Sequence, residues 1–363
     1  MIGSFFALAL VAQSAATTDL AGIWDGTVGN QPVRACFTEM EGPGAYYYLS
    51  RLRVIMLAPV DGSRGSFRES SEETTVGPET TWRVERAAAG LLRARWTSGR
   101  RTLPVQLRRV ARGGGEGGAC GSAVFQQPRL AGVRTVPTRA TLEGTSYTKL
   151  RLEHAGRFPV SVESFALDGT GAAVRRLNLA LAAPFRGSPP DWLSCVESAL
   201  ATGMGEGDYH QRLEPAMISW RWLSVASHYE GFCGGAHPDE SNTYRIWDRT
   251  SGREINLHDW FAPRAVKQER LDSGDVLRSL EPAFRTFLLT GWRGEQDCDE
   301  VVRTADFWNI GLTRTGFTFA PDLPHVVRAC YDEFNIPFSR IRPWLNAQGA
   351  ANVAALQAER PAR

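Results

Sequence analysis

The chain has 363 residues, of which 43% are hydrophobic and 22% charged, and its formal net charge is +2. A net charge so close to zero gives no bulk attraction to nucleic acid, which is therefore not an expected partner. The length exceeds what one ordinary hydrophobic core organises, so we expect two domains.

The N-terminus predicts export. Residues 2–12 form an apolar run too short to span a bilayer, and residues 14–16 are small residues of the kind that a signal peptidase reads. The run is not preceded by lysine or arginine, so the signal is incomplete, and a buried N-terminal strand is the alternative. We expect a signal peptide over residues 1–16 and a periplasmic or secreted protein. No later stretch of the sequence is long and apolar enough for a membrane span.

The cysteines favour the same compartment. Six cysteines, an even number, are widely spaced and form no C-x-x-C pair, which suits disulfides better than a zinc site: Cys36, Cys120, Cys195, Cys233, Cys298 and Cys330. Spacing leaves every pairing open, and buried free thiols are the alternative. We favour pairing within domains, which joins Cys36 to Cys120, Cys195 to Cys233, and Cys298 to Cys330.

The first domain, residues 17–125, is predicted to be almost wholly β. Short runs of alternating polarity are separated by Gly, Asp and Ser turns, without helical periodicity. The predicted strands are 22–28, 33–38, 44–48, 51–58, 66–73, 81–86, 91–96 and 103–110. This pattern favours a small antiparallel β-barrel or sandwich.

A glycine-rich stretch follows at residues 113–121, where we expect a mobile loop that links the domains or is tethered by Cys120. A phosphate-binding loop is the alternative, but the Gly-Lys-Ser/Thr that such a loop needs does not follow.

The second domain, residues 126–345, mixes both kinds of element, so the fold class expected for the chain is α+β. Strands are predicted at 148–153 and 160–167, and a helix begins at Asp191 after two prolines. A single long strand is predicted over 217–229, with Trp220 and Trp222 on one face. Apolar residues at helical spacing predict a helix over 276–289, and the Ala-rich end, 346–363, is expected to be a flexible tail.

The segment from Tyr229 to Pro238 is the main candidate for a functional site. Gly234 and Gly235 permit a tight turn, and His237 is expected to hydrogen-bond to fix that loop or to contact a partner together with Tyr229. A metal held by His237 with adjacent carboxylates is the less favoured alternative, because strand and turn geometry scatters such neighbours.

Catalytic signatures are missing from the sequence. Neither a Gly-x-Ser-x-Gly elbow nor a His-Glu-x-x-His motif occurs, and the adjacent His258 and Asp259 have no matched nucleophile. We therefore predict no catalytic residue, no metal and no cofactor, and a protein that is not an enzyme.

The second domain resembles the extracytoplasmic domain of RsiV-type anti-sigma factors, which also accompanies the catalytic domain of PdaC-type peptidoglycan deacetylases. The likeness covers residues 138–345 and rests on linked segments at 229–238, 244–252, 255–261, 317–319, 331–338 and 341–345. It implies a mixed α+β fold and lysozyme binding at the cell envelope. The chain departs from these relatives because it has neither their transmembrane segment nor the deacetylase domain.

The first domain is similar, more loosely, to a β-rich module of bacterial envelope proteins. The residues that carry this likeness are Gly22-Ile23-Trp24-Asp25-Gly26 and Gly44-Ala45-Tyr46-Tyr47-Tyr48.

Three functional hypotheses follow. The first is an exported, non-catalytic binding or sensing protein whose partner is a lysozyme-like protein or a peptidoglycan-derived ligand. The second is a small-molecule carrier that uses an open barrel lumen. The third is an envelope hydrolase, which requires a pocket where His237, His258 and carboxylates converge.

Overall fold

The computed structural model describes residues 19–38, 42–70, 78–88, 90–113 and 118–359, so the predicted signal peptide lies outside the described residues. The fold is α+β, with 24% helix and 45% strand, which confirms the predicted class. The chain divides into two compact units. One unit takes in residues up to Ala131 together with 197–206, and the other takes in 132–196 and 207–363.

The first unit contains a closed antiparallel barrel, which is one of the two architectures predicted and excludes the sandwich. Its eight strands are β1 (Gly22–Val28), β2 (Gln31–Phe37), β3 (Gly44–Tyr48), β4 (Ile55–Pro59), β5 (Ser66–Ser70), β6 (Thr80–Ala88), β7 (Leu91–Ser98) and β8 (Arg101–Ala111). Each strand pairs with the next along the chain, and β1 also pairs with β8 to close the sheet. One short helix, α1 (Ala123–Leu130), follows the barrel and is capped by the Ser122 side chain.

Side chains fill the interior of the barrel. The strands alternate, and their inward positions hold large rings that are almost completely buried: Trp24, Phe37, Tyr46, Phe67 and Trp82. The rings of Phe37 and Phe67 lie 5.2 Å apart, and those of Tyr46 and Trp82 lie 4.8 Å apart. An eight-stranded barrel is just wide enough to be filled in this way. The filled interior counts against the carrier hypothesis, which requires an open lumen.

One carboxylate lies among these rings. Glu69 Oε1 accepts hydrogen bonds from the Tyr46 hydroxyl at 2.6 Å, Trp82 Nε1 at 2.9 Å and Trp96 Nε1 at 2.7 Å. Burial, followed by the neighbouring Glu69 charge, raises the pKa of Tyr46 far above its usual range. Glu69 thus satisfies three donors whose aromatic bodies pack the barrel.

Three disulfides are present, and their pairing is the one predicted: Cys36–Cys120, Cys195–Cys233 and Cys298–Cys330. The two cysteines of each bridge belong to the same unit. Such a set is typical of proteins from oxidising, extracytoplasmic compartments.

Helices able to cross a bilayer are not found in the described part of the chain.

The second unit is built on a seven-stranded sheet in the order β15-β14-β13-β12-β11-β10-β9. The strands are β9 (Arg134–Leu142), β10 (Thr145–Glu153), β11 (Val160–Leu167), β12 (Asp208–Ile218), β13 (Trp222–Phe232), β14 (Asp239–Asp248) and β15 (Arg253–Ile255). Only the β11–β12 pair is parallel. The chain between those two strands forms helices α2 (Ala172–Leu181) and α3 (Asp191–Thr202), and α3 has residues in both units.

The predicted single strand over 217–229 is wrong. The chain reverses at residues 219–221, so this stretch spans the end of β12 and most of β13. Trp222 is 2% exposed, whereas Trp220 lies in the turn and is 73% exposed. The two tryptophans therefore do not share a buried face, because a turn interrupts the alternation that would place them together.

Two hydrophobic clusters cover the two faces of the sheet. Leu213, Leu223 and Val225 belong to the cluster that includes Leu177 and Leu181 of α2. On the opposite face, Met217, Trp222 and Ile246 belong to the cluster formed with the C-terminal elements. These elements are β16 (Val266–Arg270), β17 (Val276–Leu280), α4 (Pro282–Leu288), α5 (Gln296–Thr304), β18 (Trp308–Leu312), β19 (Gly316–Pro321), β20 (Phe334–Pro337), α6 (Phe338–Ile341) and α7 (Ala347–Ala358).

The helix predicted over 276–289 is only partly correct. Its first part is strand β17, which pairs with β16 in a two-stranded hairpin, and only α4 is helical. Pro282 lies in the first turn of α4, where its missing N–H costs nothing, whereas a helix already begun at 276 would place it in the interior.

The flexible tail predicted from residue 346 is wrong for most of its length. Helix α7 occupies this segment, and Val353 and Leu356 are buried in the C-terminal cluster. Asn346 caps the helix by accepting a hydrogen bond from the Gly349 N–H at 2.8 Å, and its Nδ2 donates to the carbonyl of Asp259, also at 2.8 Å. Tertiary burial thus orders an Ala-rich end that looked featureless in the sequence.

The Glu69 network yields a stability prediction. Glu69→Ala leaves three donors without their common acceptor, and we expect a loss of roughly 2–4 kcal/mol in the free energy of unfolding. Urea denaturation measures the change. Glu79→Ala is the matched control, because its exposed ion pair with Arg68 contributes less than about 1 kcal/mol. Equal destabilisation by the two substitutions would contradict the role given to Glu69.

Candidate functional site

An open groove lies on one face of the seven-stranded sheet, over strands β11 to β14. We call it the sheet groove, and its volume is about 460 Å³. Its lining consists almost entirely of polar residues: Ser161, Glu163, His210, Gln211, Arg212, His228, Tyr229, Glu230, Glu240 and Asn242.

Strand register assembles the groove. His210 on β12 is directly opposite Glu230 on β13, and Arg212 is opposite His228. His228 in turn is opposite Asn242 on β14, and its Nδ1 lies 2.5 Å from Asn242 Oδ1. Directly opposed residues project from the same face of a sheet, so this register gathers the polar side chains of neighbouring strands on one surface.

The charges in the groove are unevenly balanced. Its lining holds three carboxylates, those of Glu163, Glu230 and Glu240, against the single guanidinium of Arg212. Glu230 and Glu240 are directly opposite each other on adjacent strands, an arrangement that costs stability when both are ionised. Arg328 offsets Glu240 through an ion pair of 3.1 Å. Within the described residues, no ion pair is formed by the Glu230 carboxylate.

Tyr229, a predicted site residue, borders this groove between His228 and Glu230, but its side chain projects from the opposite face of β13. Its ring centroid lies 5.2 Å from that of Tyr209, and its hydroxyl oxygen is 3.6 Å from Cys233 Sγ. Burial is the main cause that raises the pKa of Tyr229 above its usual value. The tyrosine thus packs at the end of β13, beside the disulfide that ties this strand to α3.

Gly234 and Gly235 shape the turn that follows. Their φ angles are +86° and +124°, in a region that residues with a Cβ rarely adopt. Two successive positive φ angles reverse the chain between β13 and β14, so the glycines serve the backbone geometry that the sequence suggested.

His237 is exposed and does not line the sheet groove. Its Nδ1 lies 2.9 Å from the carbonyl oxygen of Pro238, a contact that suits the expected loop-fixing role. Its ring also stacks on that of His325, with centroids 4.0 Å apart and planes 6° apart. Over the described part of the chain, no three His, Cys, Asp or Glu side chains are grouped so that they could hold a metal ion.

His258 lies in a different place, in a second groove of about 370 Å³ that is also lined by Tyr244, Arg245 and Glu254. The side chain of Asn256 caps the 3₁₀ turn there by accepting from the His258 N–H, while Asp259 forms an ion pair of 3.0 Å with Arg278. Burial and then the nearby Arg278 guanidinium lower the pKa of His258 to about 4. The hydrolase hypothesis requires His237 and His258 to converge in one pocket, and they do not.

The most prominent residues of the sheet groove were missed by sequence reasoning. His210, Arg212, His228 and Glu230 occupy alternate positions of β12 and β13, so the signal was a period-two polar pattern. A single strand over 217–229 hides that pattern, because it joins the last residues of β12 to β13 and removes the turn that pairs the two strands.

The fold and grooves define a disulfide-bonded α+β protein with a closed barrel in one unit and a seven-stranded mixed sheet in the other. No protein-family model matches the sequence, and no curated protein matches it. Two solved structures are similar to the chain at 15% identity. One is a DUF3298 family member from Bacteroides fragilis, with a TM-score of 0.39 over 62% of this chain and 96% of that chain. The other is a DUF3298 family protein from Pseudomonas aeruginosa, with a TM-score of 0.34 over 59% and 94%.

The environment of His258 predicts acid sensitivity. Its pKa is about 4 in the folded chain and near 6.5 when unfolded, so only the unfolded state gains the proton between these values. Stability should fall as the pH drops from about 6.5 to 4, by at most about 3 kcal/mol from this residue. Urea midpoints measured across that range for wild type and His258→Gln test this, and the substitution should flatten the profile.

The control for this experiment is His210→Gln, which removes an exposed imidazole from the same unit. It should keep the wild-type slope, and an unchanged slope in His258→Gln would contradict the assignment.

Proposed function

We propose that the protein is an exported, non-catalytic binding or sensing protein of the cell envelope, periplasmic or secreted, which takes a cationic partner in the sheet groove. The observation that carries this proposal is the opposition of Glu230 and Glu240 on adjacent strands of an open, polar surface.

Like charges across a strand pair destabilise the free protein, so a bound cation relieves a repulsion that folding has created. Among the residues that the structure describes, Glu240 forms an ion pair, with Arg328, and Glu230 forms none. The carboxylates of Glu230 and Glu163 are therefore those with which a lysine or arginine of a partner would pair.

The partner we favour is a lysozyme-like protein. Segments 229–238 and 244–252, which resemble RsiV-type domains, include the end of β13, the following turn and part of β14. Lysozyme binding is the property that this resemblance implies, and an abundance of surface cations makes such a partner complementary to the groove. A peptidoglycan-derived ligand with a free amine offers the same charge and is the second candidate.

In this proposal the turn between β13 and β14 forms one edge of the binding site in the sheet groove. Gly234 and Gly235 set its path, Tyr229 packs beneath it, and His237 holds it through the contacts with Pro238 and His325. The cell-envelope location rests on the three disulfides and on the predicted signal peptide. We also propose that the two domains span residues 17–125 and 126–345.

Charge removal in the groove tests the proposal. The double variant Glu163→Gln and Glu230→Gln should weaken lysozyme binding by about tenfold, because two partner cations lose their counter-charges. Isothermal titration calorimetry at low and at physiological salt measures the dissociation constant. Amine-bearing peptidoglycan fragments, titrated in parallel, distinguish the two partner classes.

Asp297→Asn with Glu300→Gln is the matched control, because these acidic residues lie on α5 and outside the groove lining. It should bind as wild type does. The proposal fails if neither ligand binds wild type, if the control loses as much affinity as the groove variant, or if the protein hydrolyses or deacetylates the fragments.

A further inference from the structure

The outer surface of the barrel carries a dense group of arginines on β6, β7 and β8. We call it the arginine face and define it by five exposed side chains, those of Arg83, Arg86, Arg93, Arg95 and Arg108. They project outward because their strand neighbours, such as Trp82, Leu92, Ala94 and Leu107, fill the interior.

The register of the strands brings these positive charges together. Arg83 is directly opposite Arg95, and Arg86 is directly opposite Arg93. Side chains opposed in this way lie within about 5.5 Å at Cβ, and like charges at that distance destabilise the sheet. The two pairs on β6 and β7 therefore lower the stability of the barrel. Packing of the core does not account for them, since all of these side chains point away from it.

Few acids compensate this charge. Glu85 pairs with Arg95 at 2.8 Å, and the adjacent Asp25 is already paired with Arg34 at 2.7 Å. Among the described residues, Arg83, Arg86, Arg93 and Arg108 form no ion pair. The face is thus strongly cationic although the whole chain has a net charge of only +2.

Apolar side chains are exposed at one end of this face. Leu91 is directly opposite Arg108 and is 52% exposed. Val110, two positions beyond Arg108, is 48% exposed. Guanidinium groups that surround exposed aliphatic side chains suit a surface that offers both phosphate oxygens and an apolar layer.

We propose that the arginine face docks the barrel on an anionic phospholipid surface. Arg86, Arg93 and Arg108 bind lipid phosphates, for which the planar guanidinium fork is well suited, while Leu91 and Val110 enter the headgroup boundary. A soluble polyanion satisfies the arginines but leaves the two aliphatic side chains in water, so the lipid surface accounts for more of the face. This proposal concerns the other unit and does not depend on the sheet groove.

Vesicle sedimentation of the purified chain tests the proposal. Wild type should bind vesicles of phosphatidylcholine with phosphatidylglycerol, should not bind pure phosphatidylcholine, and should dissociate at high salt. Arg86→Gln with Arg93→Gln should lower the partition coefficient roughly 25-fold. Each arginine near an anionic surface raises the partition coefficient about fivefold, and the variant removes two of them. Arg86→Lys with Arg93→Lys should retain most of the binding.

Arg100→Gln with Arg101→Gln is the matched control, because it removes the same charge from exposed arginines at the opposite end of β7. It should lower binding much less than the Arg86 and Arg93 pair does. Melting temperatures should not fall in the Arg86 and Arg93 variant, since the substitution removes a repulsion.

Leu91→Ser and a soluble polyphosphate separate the lipid surface from a free polyanion. Leu91→Ser should weaken vesicle binding and leave polyphosphate binding unchanged. The proposal is overturned if binding does not require the anionic lipid or if Leu91→Ser leaves vesicle binding intact. It is also overturned if Arg100→Gln with Arg101→Gln loses as much binding as Arg86→Gln with Arg93→Gln. If a variant fails to fold, the dependence of wild-type vesicle binding on anionic lipid and on salt still tests the proposal.

Discussion

The alternation of side chains along β12 and β13, shifted once by an irregularity between Pro215 and Met217, is the constraint on which the second unit depends. These central strands must bury every other residue against α2, where Leu213, Leu223 and Val225 join one cluster. The intervening residues then face the other side, where the C-terminal elements cover only part of the sheet through Met217 and Trp222. The remaining part is the sheet groove. The site therefore exists because one covering layer is shorter than the strands beneath it.

The same alternation separates interior from surface in the barrel. Inward positions hold aromatic rings and the single carboxylate of Glu69, while outward positions of β6 and β7 hold arginines. In both units, strand register then places like charges directly opposite each other, glutamates in the groove and arginines on the barrel. Such pairs lower the stability of the protein when both members of a pair are charged.

Several features of the fold could be predicted because they depend on local patterns. Short alternating runs between turn residues indicated a barrel or a sandwich, of which the barrel is present. Six separated cysteines indicated three disulfides, whose preferred pairing is confirmed. The hairpin at Trp220, the strand β17 and the helix α7 were missed. Each was decided by tertiary pairing or burial that overrides local apolar spacing, as Val353 and Leu356 show for α7.

The sequence by itself determined the period of the barrel strands, the glycines of the turn after Tyr229 and the cysteines available for bridging, since these are properties of neighbouring residues. It also determined that the overall charge is nearly balanced, at +2. Only the tertiary structure decided that His237 stacks on His325, and that His210 meets Glu230 while His258 lies in another groove. Only the tertiary structure, likewise, gathers a nearly neutral chain's charges into a cationic face and a carboxylate-rich groove. The reason is strand register, which pairs residues distant along the chain and is fixed only when the sheet closes or its buried face packs.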